Sequence, residues 1–146
     1  MSKFTLVEKK FGEFDCFIIE NSKTGERISL TKYGANLLSY EVPIHNELFD
    51  ILDGFNSPEE IIAARGARNY IMAPFANRVK DGLYNFNYNA HQLKPIPPRS
   101  QVIHGFAAYQ EFNIKDVVNN SNCILIEFES QPIASSQYSG YPFDIQ

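Results

Sequence analysis

What this sequence lacks narrows its function before its motifs are read. Cysteine is scarce: Cys16 and Cys123 are the only two, and they lie far apart. No Cys/His spacing has the form of a zinc site, so no metal is expected. Both cysteines fall in alternating apolar stretches, which reads as buried free thiols of a reducing cytosol; a disulfide between them is the other reading. Long apolar runs are also missing. The longest, about Tyr70 to Ala76, is interrupted by Pro74 and falls far short of the roughly 20 residues that cross a bilayer. The start, Met1-Ser2-Lys3-Phe4-Thr5, shows neither an apolar segment nor a small-residue cleavage site, so a cytoplasmic location is expected. Glycines are scattered and form no run ahead of a helix, which excludes a phosphate loop.

Basic charge is short as well. Lys and Arg number 13 against 17 Asp and Glu, a net charge of −4. Such a chain has no electrostatic reason to approach nucleic acid or an anionic membrane. Phe and Tyr make up 14% of the residues, but without interleaved basic residues they read as core rather than as a stacking platform for bases.

What is present is an ordinary globular composition. The 146 residues, 44% hydrophobic and 21% charged, suit one domain or part of one and can bury a core without disulfides. The dominant period is two. Phe4 and Leu6, then Phe14, Cys16 and Ile18, alternate with more polar neighbours. Asn21-Ser22-Lys23-Thr24-Gly25 is a turn cluster before Arg27 to Thr31, which predicts a hairpin. Leu37 to Val42 reads as a strand ending at Pro43, and Phe49 to Leu52 as another. Ile71 to Val79 and Leu83 to Tyr88 follow as strands, and Ile96-Pro97-Pro98-Arg99 as a loop. Phe112 to Val118 and Cys123 to Glu129 form a hairpin around Asn119 to Asn122. The expected total is about nine or ten short strands, at sandwich-like spacing. One helix is expected. Ser57 is its N-cap, Pro58 its first residue, Glu60 closes a capping box and Gly66 ends it. After the turn Ser139-Gly140-Tyr141-Pro142, a new strand starts at Phe143 and the sequence stops. A strand just begun leads us to expect a piece of a longer protein.

Two stretches carry chemistry: Ala73-Pro74-Phe75-Ala76-Asn77-Arg78-Val79, with Gly82-Leu83-Tyr84 behind it, and Val102-Ile103-His104-Gly105-Phe106. Arg78 presents a planar fork of donors, and His104 can give or take a proton near neutral pH. Phe75, Phe106 and Tyr84 can supply flat apolar walls. A forked cation, an imidazole and aromatic faces suit a polyol. Spacing alone leaves other readings open. Arg78 can be a solvated edge residue and His104 a turn residue. His45 reads as a turn, His91 as an exposed strand position, Asp50 and Asp53 as turn residues, and Glu59 and Glu60 as partners of the helix dipole.

Asn77-Arg78-Val79 followed by Gly82 resembles the Asn-Arg-Ile/Val segment of the aldose 1-epimerases, or galactose mutarotases. Ile103-His104-Gly105 stands where that family carries Leu-His-Gly. Tyr33-Gly34-Ala35-Asn36-Leu37 resembles its early Gly-Ala strand, and Gly140-Tyr141-Pro142 its Gly-Tyr-Pro turn. The resemblance runs from about Phe4 to Gln146. It implies an all-β, mutarotase-like sandwich with one short helix, of which residues 1–146 are the N-terminal portion of a single domain. It implies interconversion of the α and β anomers of a free hexose such as galactose or glucose, with no cofactor and a small-molecule sugar as partner. Asn77 and Arg78 would bind hydroxyls and the ring oxygen. His104 would bind sugar and play a supporting catalytic role. The family's main acid, a second His, and its base, a Glu, fall beyond Gln146. Ser100-Gln101-Val102, Phe106, Pro97 and Pro98 depart from the family pattern, leaving the sugar open, from another hexose to a phosphorylated one. The alternative function is a non-catalytic carbohydrate-binding or regulatory module. Half a sandwich would also expose an unpaired edge and an apolar face, so a chain of this length is expected to self-associate.

Overall fold

The computed structural model describes residues 3–130. Among them are nine strands and one α-helix: β1 (Phe4–Phe11), β2 (Phe14–Asn21), β3 (Arg27–Thr31), β4 (Leu37–Ile44), β5 (Glu47–Asp50), α1 (Pro58–Ile62), β6 (Leu83–Phe86), β7 (Asn89–Gln92), β8 (Phe112–Asn119) and β9 (Ile124–Ser130). The expected turn at Gly140-Tyr141-Pro142 and the strand from Phe143 lie outside the described residues.

Strands β1 to β5 form one antiparallel meander in chain order, and β6–β7 and β8–β9 are separate hairpins. The period of two explains the meander. Along β2, Phe14 and Cys16 face one side and join Leu38, Phe55, Ile61, Tyr70 and Ala108 in the main core. Phe17 is buried on the opposite side, where its ring meets Phe128 of β9 edge-on at 6.1 Å. Hence the β8–β9 hairpin covers one face of the sheet while α1 and its flanking loops cover the other. A smaller core joins Leu93, Val102 and Phe106 with Phe75, Val79, Tyr84 and Ile96. This second core carries the site.

The structure corrects several expectations. Pro43 does not stop its strand: it pairs with Leu48 inside β4. Strand β3 reaches along β4 only to Glu41, so beyond that point β4 has one neighbour and the missing amide costs no ladder bond. Tyr33-Gly34-Ala35-Asn36 is the turn before β4 rather than a strand, with φ of 69° at Gly34 and 48° at Ala35. Residues 71–79 form no continuous strand; a cis Ala73–Pro74 bond lies within them, and only the isolated bridges Ala73–Gly105 and Arg78–Ile103 tie them down. The expected strand to Tyr88 ends at Phe86. Asn87 and Tyr88 take φ of 48° and 63°, the two left-handed positions of a tight hairpin turn that alternation does not reveal. His45 and Asn46 make the same kind of turn, as read from the sequence.

The helix begins at Pro58 but lacks the expected capping box. Ser57 makes no side-chain cap bond, and the Glu60 carboxylate accepts from the Asn56 amide instead. It ends at Ile62, where Ala64 rather than Gly66 takes the first left-handed position, with φ of 51°. Arg68 then locks the loop. Its guanidinium donates to the Gly54 carbonyl at 2.7 Å and to Glu60 at 3.0 Å, and lies over the Phe55 ring. Asp50 serves its turn as expected, accepting from the Tyr40 and Leu52 amides. Both cysteines are free, but only Cys16 is buried. Cys123 sits in the exposed β8–β9 turn, where its amide donates to Asn120 Oδ1. No helix among the described residues is long and apolar enough to cross a membrane.

Candidate functional site

The two chemical stretches of the sequence are zipped together in space. The Val79 amide donates to the Val102 carbonyl and the His104 amide to the Asn77 carbonyl, each at 3.0 Å, and the Phe106 amide closes on the Ala73 carbonyl at 2.7 Å. Alternation across this short ladder decides what faces where. Val79, Val102 and Phe106 point into the second core, leaving Asn77 and Arg78 exposed and His104 half-buried.

Gly105 makes the closure possible. Its φ is +68°, and a Cβ there would stand 2.0 Å from the Ala73 carbonyl oxygen. His104 itself takes φ of 63° and Asn77 φ of 66°, uncommon backbone for residues with side chains and frequent at functional sites. Asn77 holds its geometry through its own side chain, whose Oδ1 accepts from the Arg78 amide at 2.9 Å.

The imidazole has a defined tautomer. The Asn77 amide donates to His104 Nδ1 at 3.0 Å, so the proton of the neutral ring resides on Nε2. Burial first, then the positive charges of Arg99 and Arg78, holds His104 below the ordinary histidine value. The ring is therefore neutral at physiological pH and presents Nε2–H as a donor. Arg78 is held by Gln101, whose Oε1 accepts from Nε at 2.7 Å. That bond orients the guanidinium and leaves its two terminal amino groups for a ligand.

Arg78 stands between two clefts. One, of about 450 Å³, runs along Lys80, Asp81, Gly82, Gln92 and Leu93. The other, of about 310 Å³, is walled by Arg99, Ser100, Gln101 and Ile103. Neither cleft is lined by His104, which stands beside them next to Ile103.

Asn77, Arg78 and His104 are thus brought together as the sequence suggested. The expected aromatic walls are not. Phe106 is 2% exposed and meets Phe75 edge-on at 5.7 Å, and Tyr84 stacks on His91 at 5.0 Å. These rings support the site from beneath because the alternation that exposes Arg78 turns them inward. Sequence reading missed Gln101 and Arg99. The apolar pair Val79 and Val102 was the available signal: pairing those residues antiparallel sets Ile103 opposite Arg78 and leaves Gln101, two residues away on the same face, as its diagonal neighbour. Among the described residues no group of His, Cys, Asp and Glu could hold a metal ion.

Two loop segments joined by isolated bridges thus display a forked cation, a side-chain amide and a tautomer-fixed imidazole, donors of the kind that can engage several oxygens of a polar ligand. The chain belongs to the aldose 1-epimerase family, which it matches over residues 15–146. Its fold is similar to that of a solved galactose 1-epimerase from Lactobacillus acidophilus NCFM, with a TM-score of 0.59 and 20% identity. The match covers 89% of this chain and 38% of that one, so the chain spans well under half the length of its structural neighbour. No curated protein sequence matches it.

Proposed function

We propose that residues 1–146 are the N-terminal portion of a single mutarotase-like domain, and that the complete protein interconverts the α and β anomers of a hexose with a free anomeric hydroxyl, such as galactose or glucose. Family membership supports the reaction class. One observation carries the site: Nδ1 of His104 is occupied by the Asn77 amide, which leaves Nε2–H as the donor of a ring close enough to Arg78 to feel its charge.

In such a reaction a base takes the anomeric hydroxyl proton while the ring oxygen is protonated. The C1–ring oxygen bond breaks, C1–C2 rotates, and the ring closes on the other face. In this reading Arg78 lies against the ring oxygen and favours the negative charge that develops there on opening. His104 donates Nε2–H to a sugar oxygen and stabilises the same charge. Asn77 Nδ2, which has no partner among the described residues, donates to a neighbouring hydroxyl. By resemblance, the main acid and the base lie beyond residue 146.

Polarimetry of freshly dissolved α-glucose or α-galactose with the complete protein tests this. Arg78→Ala and His104→Ala are each expected to slow mutarotation by about 100-fold, the scale of losing one preorganised donor. Full activity in both variants would overturn the site.

Sugar binding with no rate enhancement by the complete protein would instead select a non-catalytic carbohydrate-binding module.

A further inference from the structure

Natural proteins guard the outer strands of their sheets with charge, because a neutral border invites another chain. The five-stranded sheet follows this rule, with Lys9 and Lys10 on β1 and Glu47 and Asp50 on β5. So does the β8–β9 hairpin, with Lys115 and Asp116 on one strand and Glu127 and Glu129 on the other. The β6–β7 hairpin does not. It is a two-stranded sheet of its own, and from Gly82 to Leu93 there is no Asp, Glu, Lys or Arg. Among the described strands, only β6 and β7 lack such a residue. Yet the hairpin is exposed along most of its length. Leu83 is 56% exposed, and Tyr88 at the tip is fully exposed. The tip is also strained. Tyr88 holds φ of 63°, which glycine adopts freely and a bulky side chain rarely. Strained backbone clusters where a side chain is put to use, and this ring packs into no core.

We propose that the β6–β7 hairpin is a homodimer contact of the complete protein, and that its occupant is the same hairpin of a second copy. Two properties select a second copy. Residues 1–146 carry a net charge of −4, so two copies repel when they approach by their charged faces. The hairpin is a surface on which no like charges meet. It is also self-complementary. Two hairpins related by a two-fold axis and lying in opposite directions set the Tyr88 ring of each against the exposed Leu83 of the other, with Asn85 of both near the axis. Tyrosine and asparagine suit such a contact: the ring covers a large area at low entropic cost, and the amide adapts its hydrogen bonds. The contact leaves Asn77, Arg78 and His104 out and does not depend on the proposed reaction.

Sedimentation equilibrium on the complete protein tests this. A reversible dimer with a dissociation constant on the order of 10 μM is expected, the range of a contact confined to one hairpin. Tyr88→Gly removes the ring while relaxing the turn, so the variant folds at least as well, and its dimer is expected to be at least about tenfold weaker. Leu83→Glu should act in the same direction, because it sets a carboxylate against the partner's ring at an exposed position. Leu48→Glu, at a similarly exposed position on β5, should leave the dimer unchanged. Raising the salt from about 0.05 M to about 0.5 M should not weaken it, since no ion pair crosses the contact. A monomer at every concentration up to about 1 mM would overturn the proposal. So would a dimer untouched by both hairpin substitutions, a dimer lost in Leu48→Glu, which would move the contact to the border of the five-stranded sheet, or a dimer that dissociates as salt rises.

Discussion

Gly105→Ala offers a quantitative test of how the site is held. The backbone at Gly105 has φ of +68°, and an added Cβ would meet the Ala73 carbonyl oxygen at 2.0 Å and its carbon at 2.3 Å. Left-handed backbone costs an alanine about 1 kcal/mol. The clash is worse, because carbon and oxygen need more than an ångström of further separation. Moving Ala73 away disturbs the bonds its carbonyl accepts from the Phe106 and Ala107 amides, at 2.7 and 3.2 Å. Each is worth about 1 kcal/mol, so the expected loss is about 3 kcal/mol. Gly25 supplies the control. Its φ is +76°, but a Cβ there meets only Pro43 Cγ, at 3.2 Å, so Gly25→Ala should cost about 1 kcal/mol. Urea denaturation should therefore show a midpoint shift about three times larger for Gly105→Ala at similar slopes. If the two substitutions cost the same, the tight closure of residue 105 on Ala73 is not what holds the site.

Further expectations follow from single residues. Tyr88 is fully exposed with φ of 63°, so Tyr88→Gly should stabilise the β6–β7 hairpin by about 0.5–1 kcal/mol, read as a higher denaturation midpoint. A thiol reagent should label exposed Cys123 at once and Cys16 only slowly, because Cys16 is buried and burial raises its thiol pKa; equal rates would contradict the packing of β2. His104 is held below its ordinary value of 6.5 by burial and by Arg99 and Arg78. The unfolded chain thus takes up the proton first as pH falls. The stability linked to this group is complete above about pH 6.5 and is lost as pH falls through the lower folded value. An NMR titration of the ring should place its midpoint below 6.5, and a midpoint above that value would contradict the half-buried setting beside two arginines.

Much of the strand pattern was legible because a half-buried strand repeats every two residues. Phe14 and Cys16, or Asn21 to Gly25 before Arg27, announce themselves by local sequence alone. Positive-φ turns made by ordinary residues were not legible. Asn87-Tyr88 continues the alternation of β6, and Ala64 carries no mark of a helix end, so neither turn shows in composition. The site was half legible. Asn77, Arg78 and His104 stood out through their motifs, yet the direction of Phe75, Phe106 and Tyr84 depends on the pairing of residues 77–79 with 102–104. That pairing is non-local, and one residue of register reverses every side chain. Arg99 was hidden for a related reason: its place in the cleft wall is set by bonds to Ala64 and Tyr109, which the fold brings to it from either side in sequence.

The most direct test of the account is the rate at which the complete protein brings freshly dissolved α-glucose to anomeric equilibrium, followed by polarimetry with and without His104→Ala. Acceleration over the spontaneous rate that is largely lost in the variant, with its fold intact by circular dichroism, is the expected result. Unchanged acceleration in His104→Ala, or none in the native protein despite sugar binding, would contradict the claim that the imidazole fixed by Asn77 serves an anomerase.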